Sequence, residues 1–396
     1  MMGAWRRSWL SVAALFLFCG SLHLASANKE IDQYLGRKLN CWKPELTYDT
    51  FKVKFFFSSR KKSDQLYTLD NEFDSQHYDF KPHRRTAVLV HGFLGKIYGD
   101  PMRALKRHLL AWQNMNVIIV RWEEVCTNLF CYERAAADTE FVAKQIRLLF
   151  KSLDQHFVQK SRILQENWGH VHLIGHSLGA HTVGHAAKLL KHEDGFEIDR
   201  VTGLDPAEPC FETIGKAPLR LSNDSARFVD VIHTAVARSK NSAFGLLEPL
   251  GHADFYVNGG GPQPDCNKLT IFKVFRKQRT MTDLSYHKLF PFALNGGICD
   301  HFHSVIVFIE SVKQVAYSEA KQEAAQCRFT ARPWQLGSTA EQQTEAKEDS
   351  CYASSCPEMG INADQYEFPE RTYLVSTTGK EPFCIVPAQP SNSTAS

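Results

Sequence analysis

Short apolar runs alternating with amphipathic stretches organise this chain. Thr86 to Val90 is apolar and β-branched, and Asn116 to Arg121 carries Val117, Ile118, Ile119 and Val120 on consecutive positions. Such runs predict strands buried on both faces. Val171 to Ile174, Val201 to Leu204 and Phe228 to His233 repeat the pattern. Phe51 to Ser58 alternates and is aromatic, which predicts an early strand. Between the runs, apolar residues recur at helical spacing. Ala135 to Leu153 carries Phe141, Val142, Ile146, Leu149, Phe150 and Leu153, and Leu178 to Leu190 and His303 to Val315 predict two further helices. Buried strands alternating with helices predict an α/β fold: a mostly parallel central sheet covered by helices. There is no internal repeat. Arg328 to Ser350 is poor in apolar residues and predicts a surface excursion, and the residues after Cys384 predict a frayed tail.

The amino-terminal segment has a different pattern. Arg6 and Arg7 precede a mostly apolar stretch from Leu10 to Leu24, and Ala25-Ser26-Ala27 is a small-x-small cleavage signal. This predicts a secretory signal peptide over residues 1–27. Ser11, Gly20, Ser21 and His23 interrupt the stretch, which is too short for a membrane span. No later segment is long and apolar enough for one. The expectation is therefore a secreted, extracellular protein with no transmembrane segment, residues 28–384 folded and residues 385–396 a polar tail. The 11 cysteines fit that compartment. Cys19 leaves with the leader, and an even number remains, which suggests disulfides. No Cys-x-x-Cys pair suggests zinc. A net charge of +3 gives no global pull toward nucleic acid. Asn223-Asp224-Ser225 and Asn392-Ser393-Thr394 are glycosylation acceptors, the second in the polar tail.

The sharpest chemical signal is Val171-His172-Leu173-Ile174-Gly175-His176-Ser177-Leu178-Gly179-Ala180-His181. A bare Gly-x-Ser-x-Gly arises by chance in about one chain of this length in ten, so the flanks carry the signal. A buried strand runs into the motif and small, helix-compatible residues follow. That is the context of a nucleophile elbow, where a serine stands on a strained strand-to-helix turn. The hydroxyl is a weak nucleophile and needs a base, and the base needs an orienting carboxylate. Asp205 ends a short apolar strand, at the sheet edge where Ser177 would stand, although a turn aspartate before Pro206 reads the same way. His301 follows Cys299-Asp300 and precedes a helix, with His233, His252 and His303 among its competitors.

The chain resembles the pancreatic lipase family of secreted animal lipases. The matching segments are Val90-His91-Gly92-Phe93, the serine motif, Gly203 to Phe211, Phe228 to Thr234, Gly251-His252-Ala253-Asp254-Phe255-Tyr256 and Cys299-Asp300-His301. They run in family order over roughly residues 35 to 315. The resemblance implies an α/β-hydrolase fold, with Ser177 as nucleophile, His301 as general base and acid, and Asp205 as orienting carboxylate. Backbone N–H groups of Phe93 and Leu178 would form the oxyanion hole. No cofactor is then required for the chemistry. With only 12 residues after Cys384, the expectation is that the family's second, lipid-binding β-sandwich domain has no counterpart here.

Cys266 and Cys299 match the ends of the family's lid disulfide, which makes residues 267–298 a lid. That segment is apolar (Leu269, Ile271, Phe272, Val274, Phe275) and basic (Lys268, Lys273, Arg276, Lys277, Arg279, Lys288), with Asp283 its only acid. Such a segment suits a lipid interface, micelle, droplet or membrane surface, and it equally suits a loop laid on the body. Beyond that pair, Cys126 with Cys131 and Cys327 with Cys351 are the pairings considered. Some members hold a structural calcium after the acid. Ala217, Arg220, Ser222 and Asp224 match one version, with Ser225 where a second carboxylate is expected. The expectation is an ester hydrolase acting on triglyceride or phospholipid. Phospholipase A1 is the narrower alternative, and a non-catalytic, yolk-like lipid-binding protein is the rival of another class.

Overall fold

The computed structural model of the chain describes residues 53–93, 95, 101–122, 132–160, 165–212, 219–236, 244–264, 266, 297–322, 327–336 and 356–385. The expected leader, residues 267–296 of the expected lid, Cys126, Cys131, Cys351, Ala217 and the second sequon lie outside them. Among the described residues, ten strands form one sheet: β1 (Lys54–Ser58), β2 (Gln65–Tyr67), β3 (Thr86–Val90), β4 (Asn116–Arg121), β5 (Val171–His176), β6 (Arg200–Leu204), β7 (Phe228–His233), β8 (Ala253–Val257), β9 (Ala331–Pro333) and β10 (Thr372–Val375). Their order across the sheet is β2-β1-β4-β3-β5-β6-β7-β8-β10-β9. Neighbours from β4 through to β10 run parallel. Only the edges are antiparallel, where β1 pairs with β2 and β4, and β9 pairs with β10.

Parallel strands must be connected by crossovers, and the helices that make them cover both faces. Helices α2 (Tyr132–Asp154) and α3 (Leu178–Asp194) cover one face, and α1 (Pro101–Trp112) and α4 (Gly297–Lys321) the other. Alternate strand residues supply the two cores, as the pleat requires. Val88, Val90, Ile118, Val120, Val171 and Leu173 join the α2/α3 side. Leu89, Val117, Ile119, Ile174, Leu204 and Ile232 join the α1/α4 side. This is the α/β-hydrolase arrangement.

Several sequence expectations need correcting. Cys266 and Cys299 are bonded, Cα to Cα 5.5 Å, but Cys327 is bonded to Cys384 rather than to Cys351. An antiparallel bridge between Arg328 and Ile385 brings those two cysteines together. The expected surface excursion does not begin at Arg328. Phe329, Ala331 and Trp334 are buried, and Ala331–Pro333 is an edge strand. α4 runs from Gly297 to Lys321, beyond the expected 303–315 on both sides.

Candidate active site

Ser177 stands between the end of β5 and the start of α3, with φ 58° and ψ −122°. A non-glycine residue in this region stores about 1–3 kcal/mol of strain and persists only where its surroundings enforce it. Its amide donates to the Leu204 carbonyl at the end of β6 (3.0 Å). A Cβ on Gly175 would lie 2.1 Å from the Gly179 carbonyl oxygen, so only glycine lets the turn close. Gly92, at the end of β3, faces the serine directly. A Cβ there would sit 2.5 Å from Ser177 Cβ and 3.1 Å from its Oγ. Phe93 follows that glycine in a turn, and Leu178 is the first residue of α3.

Asp205 follows β6 and is buried. Its Oδ1 accepts from the amides of Thr234 (2.8 Å) and Ala235 (3.1 Å). Its Oδ2 accepts from His301 Nδ1 at 2.5 Å. The charge is thus dispersed over three donors before any substrate arrives. His301 lies near the start of α4, and its carbonyl accepts a hydrogen bond from His176 Nε2 (3.1 Å). Burial, then the nearby His301, holds His176 well below the usual imidazole range. It is therefore neutral and clamps the first turns of α4 to β5. The competing histidines have other partners. His252 Nδ1 accepts the Val229 amide (2.9 Å), His233 bonds Asp254 (2.8 Å), and His303 packs edge-on against Phe383. Among the described residues, no direct hydrogen bond joins Ser177 Oγ to His301.

A shelf supports the acid that sequence reasoning did not find. The Phe244–Gly245 backbone lies across it: Glu208 N donates to Phe244 O (2.7 Å), Gly245 N to Ala235 O (2.8 Å) and Leu246 N to Pro206 O (2.9 Å). Gly245 packs directly on the Asp205 carboxylate, and the Phe244 ring lies 5.5 Å from that of His301. His233 anchors the shelf by joining the Leu246 carbonyl through Nδ1 (2.9 Å) and Asp254 through Nε2. The Gly251-His252-Ala253-Asp254 match was the signal available, since a carboxylate inside a buried strand demands a partner.

His181, one turn into α3, donates from Nε2 to Ala207 O (2.8 Å) and accepts the Leu221 amide at Nδ1 (3.3 Å). Burial pushes it down to about 3, and His185 down to about 4. Both folded values lie below the ordinary 6.5, so the unfolded chain binds the extra protons. Their stabilisation is full above about pH 6.5 and is lost as pH falls toward the folded values. Asp138, raised by burial to about 6, works oppositely and offsets part of this. Thermal midpoints are expected to be flat above about pH 7 and to fall steadily from about pH 6 to 4. A midpoint unchanged across that range would mean that these rings accept protons in place.

Of the expected calcium ligands, Arg220, Ser222 and Asp224 come together beside α3, and Ala217 lies outside the described residues. A family model described as Lipase matches residues 18–383. Pancreatic lipase-related protein 2 of Sus scrofa is 31% identical, over 83% of this chain and 62% of its own. The protein of that name from Myocastor coypus is 30% identical, over 81% and 61%, and hepatic triacylglycerol lipase of Bos taurus 32%, over 80% and 59%. The chain thus spans about three fifths of the length of the curated relatives it matches. A serine elbow, a buried aspartate–histidine pair and a family match along nearly the whole chain agree: the chain belongs to the Lipase family.

Proposed function

We propose that the protein is a secreted serine hydrolase that cleaves acyl esters of glycerolipids at a lipid surface. Ser177 is the nucleophile, His301 the general base and then acid, and Asp205 the orienting carboxylate. The hydrogen bond from His301 Nδ1 to Asp205 carries the reading, because it is made at the sheet edge where the strained Ser177 turn stands. With Nδ1 committed to the acid, the imidazole offers Nε2 as an acceptor. Ser177 Oγ gives its proton to Nε2 as it attacks the ester carbonyl carbon. The charge that develops on the carbonyl oxygen is met by the N–H groups of Phe93 and Leu178, at a few kcal/mol each. The alcohol departs with the proton from Nε2. Water, deprotonated by the same nitrogen, then releases the fatty acid from Ser177. The missing Ser177–His301 bond is the link that tightens when substrate fills the site.

Relatives named as triacylglycerol lipases support glycerolipid substrates. The cationic, apolar sequence enclosed by the Cys266–Cys299 disulfide supports attraction to an anionic lipid surface. An alkyl fluorophosphonate is expected to label Ser177 by mass spectrometry. An unmodified Ser177 in a chain labelled elsewhere would sink the reading. Product analysis on matched triglyceride and phospholipid emulsions then separates the substrates. Free acid with 2-acyl lysophospholipid identifies phospholipase A1, and release from neither emulsion favours a lipid carrier.

A further inference from the structure

The expected calcium site is arranged around a different cation. Lys188, about three turns into α3, is buried and sends its ammonium into the segment that follows Asp205. Its Nζ donates to the backbone oxygen of Arg220 at 3.1 Å and pairs with Asp224 Oδ1 at 3.2 Å. The same Asp224 oxygen accepts from Ser222 Oγ at 2.5 Å. Ser225, where a second carboxylate would serve calcium, is buried, and its hydroxyl accepts the Ser222 amide at 3.2 Å. Arg220 O, Ser222 Oγ and Asp224 Oδ1 each have a partner without calcium.

The charges point the same way. Calcium takes six to eight oxygens and favours carboxylates among them. Among the three described ligand candidates only Asp224 brings a carboxylate, and it already answers an ammonium. A divalent ion at the same oxygens would face the Lys188 ammonium at close range, even though Asp224 itself is exposed. Among the described residues, no group of three or more His, Cys, Asp or Glu is placed to hold a metal. Lys188 also continues a row of contacts along one face of α3. His181 accepts the Leu221 amide, and Gly184 lies so close under Leu221 that a Cβ would come 2.7 Å from its Cα. Residues 181, 184 and 188 share a helix face and hold one strand of the loop.

We propose that Lys188 is the resident cation of this loop, tying the segment after Asp205 to the helix that starts at Ser177, and that the chain takes no calcium there. The full chain is unfolded thermally in excess EDTA and in millimolar calcium chloride at matched ionic strength. Equal midpoints are expected, and a higher midpoint in calcium overturns the proposal. The converse test combines Lys188→Ala with Ser225→Asp, which removes the ammonium and supplies the second carboxylate. Asn223→Gln is introduced throughout so that glycosylation does not differ. That chain is expected to gain several degrees in calcium, and indifference to calcium overturns the role given to Lys188. If it does not fold, Ser225→Asp alone keeps the ammonium and is expected to ignore calcium. Stabilisation of that variant by calcium also overturns the proposal.

Discussion

Ser177→Ala is expected to lower kcat on a nitrophenyl ester by about a millionfold, with an unchanged thermal midpoint or a slightly raised one. Alanine keeps the Cβ, so the strained turn and its amide bond to Leu204 survive, while the attacking oxygen is gone. Asp205→Asn is expected to cost about ten-thousandfold, the loss typical when a triad carboxylate becomes an amide. The geometry gives the reason. The amides of Thr234 and Ala235 both point at Oδ1 and would hold the asparagine oxygen there. Its NH₂ would then face His301 Nδ1, a donor against a donor. The imidazole would shift its proton to Nε2 and lose the lone pair that must accept from Ser177. Steady-state kinetics with circular dichroism as the folding control decides the matter. Equal turnover by wild type and Ser177→Ala would make this chain a carrier on a hydrolase fold.

The sequence made the fold legible where burial is uniform. β3, β4 and β7 fall where apolar β-branched runs predict them, because a strand covered on both faces needs no alternation. β8 was hidden by Asp254, a charge inside a fully buried strand that is intelligible only beside His233. β10 pairs with β8, which is distant in sequence, and nothing local encodes that partner. α1 did carry a readable pattern, with Pro101 at its first position and Met102, Leu105, Leu109 and Trp112 on one buried face. The first turns of α4 escaped because Cys299 is tied in a disulfide and Asp300 and His301 are polar residues buried beside the candidate site rather than in the apolar core.

Within the candidate site, the flanks of Ser177 predict its strained turn, whereas Asp205 at its strand end reads equally as a turn aspartate before Pro206. His301 was not separable from its competitors by pattern, since its selection depends on a contact across 96 residues of chain. The calcium expectation came from matching Ala217, Arg220, Ser222 and Asp224 along the chain, and a pattern read that way does not show that Lys188, on a helix in another part of the sequence, reaches Arg220 O and Asp224.

At the opposite end of β6 from Asp205, Arg200→Met is expected to destabilise the fold by about 3–5 kcal/mol, the usual cost of stranding one member of a buried ion pair. Arg200 and Asp230 are essentially inaccessible. All five guanidinium N–H groups are engaged. Nε and Nη2 bond the two Asp230 oxygens at 2.9 Å each. The remaining donors reach Ile361 O (2.6 Å), Asp364 Oδ1 (3.2 Å) and Gly360 O (2.7 Å). The arginine therefore pins the carboxyl-terminal segment to the sheet as well as neutralising Asp230. Removing it leaves the Asp230 carboxylate without a counter-ion and the Ile361 carbonyl without a donor, which is worse than removing both charges. Arg200→Met with Asp230→Leu should accordingly be more stable than Arg200→Met alone, a coupling that chemical denaturation can measure. The proposed triad lies at the carboxyl ends of the strands and this network toward their amino ends, so kcat per folded molecule should hold while the unfolding midpoint drops. A variant of unchanged stability with reduced kcat would invert that division of labour.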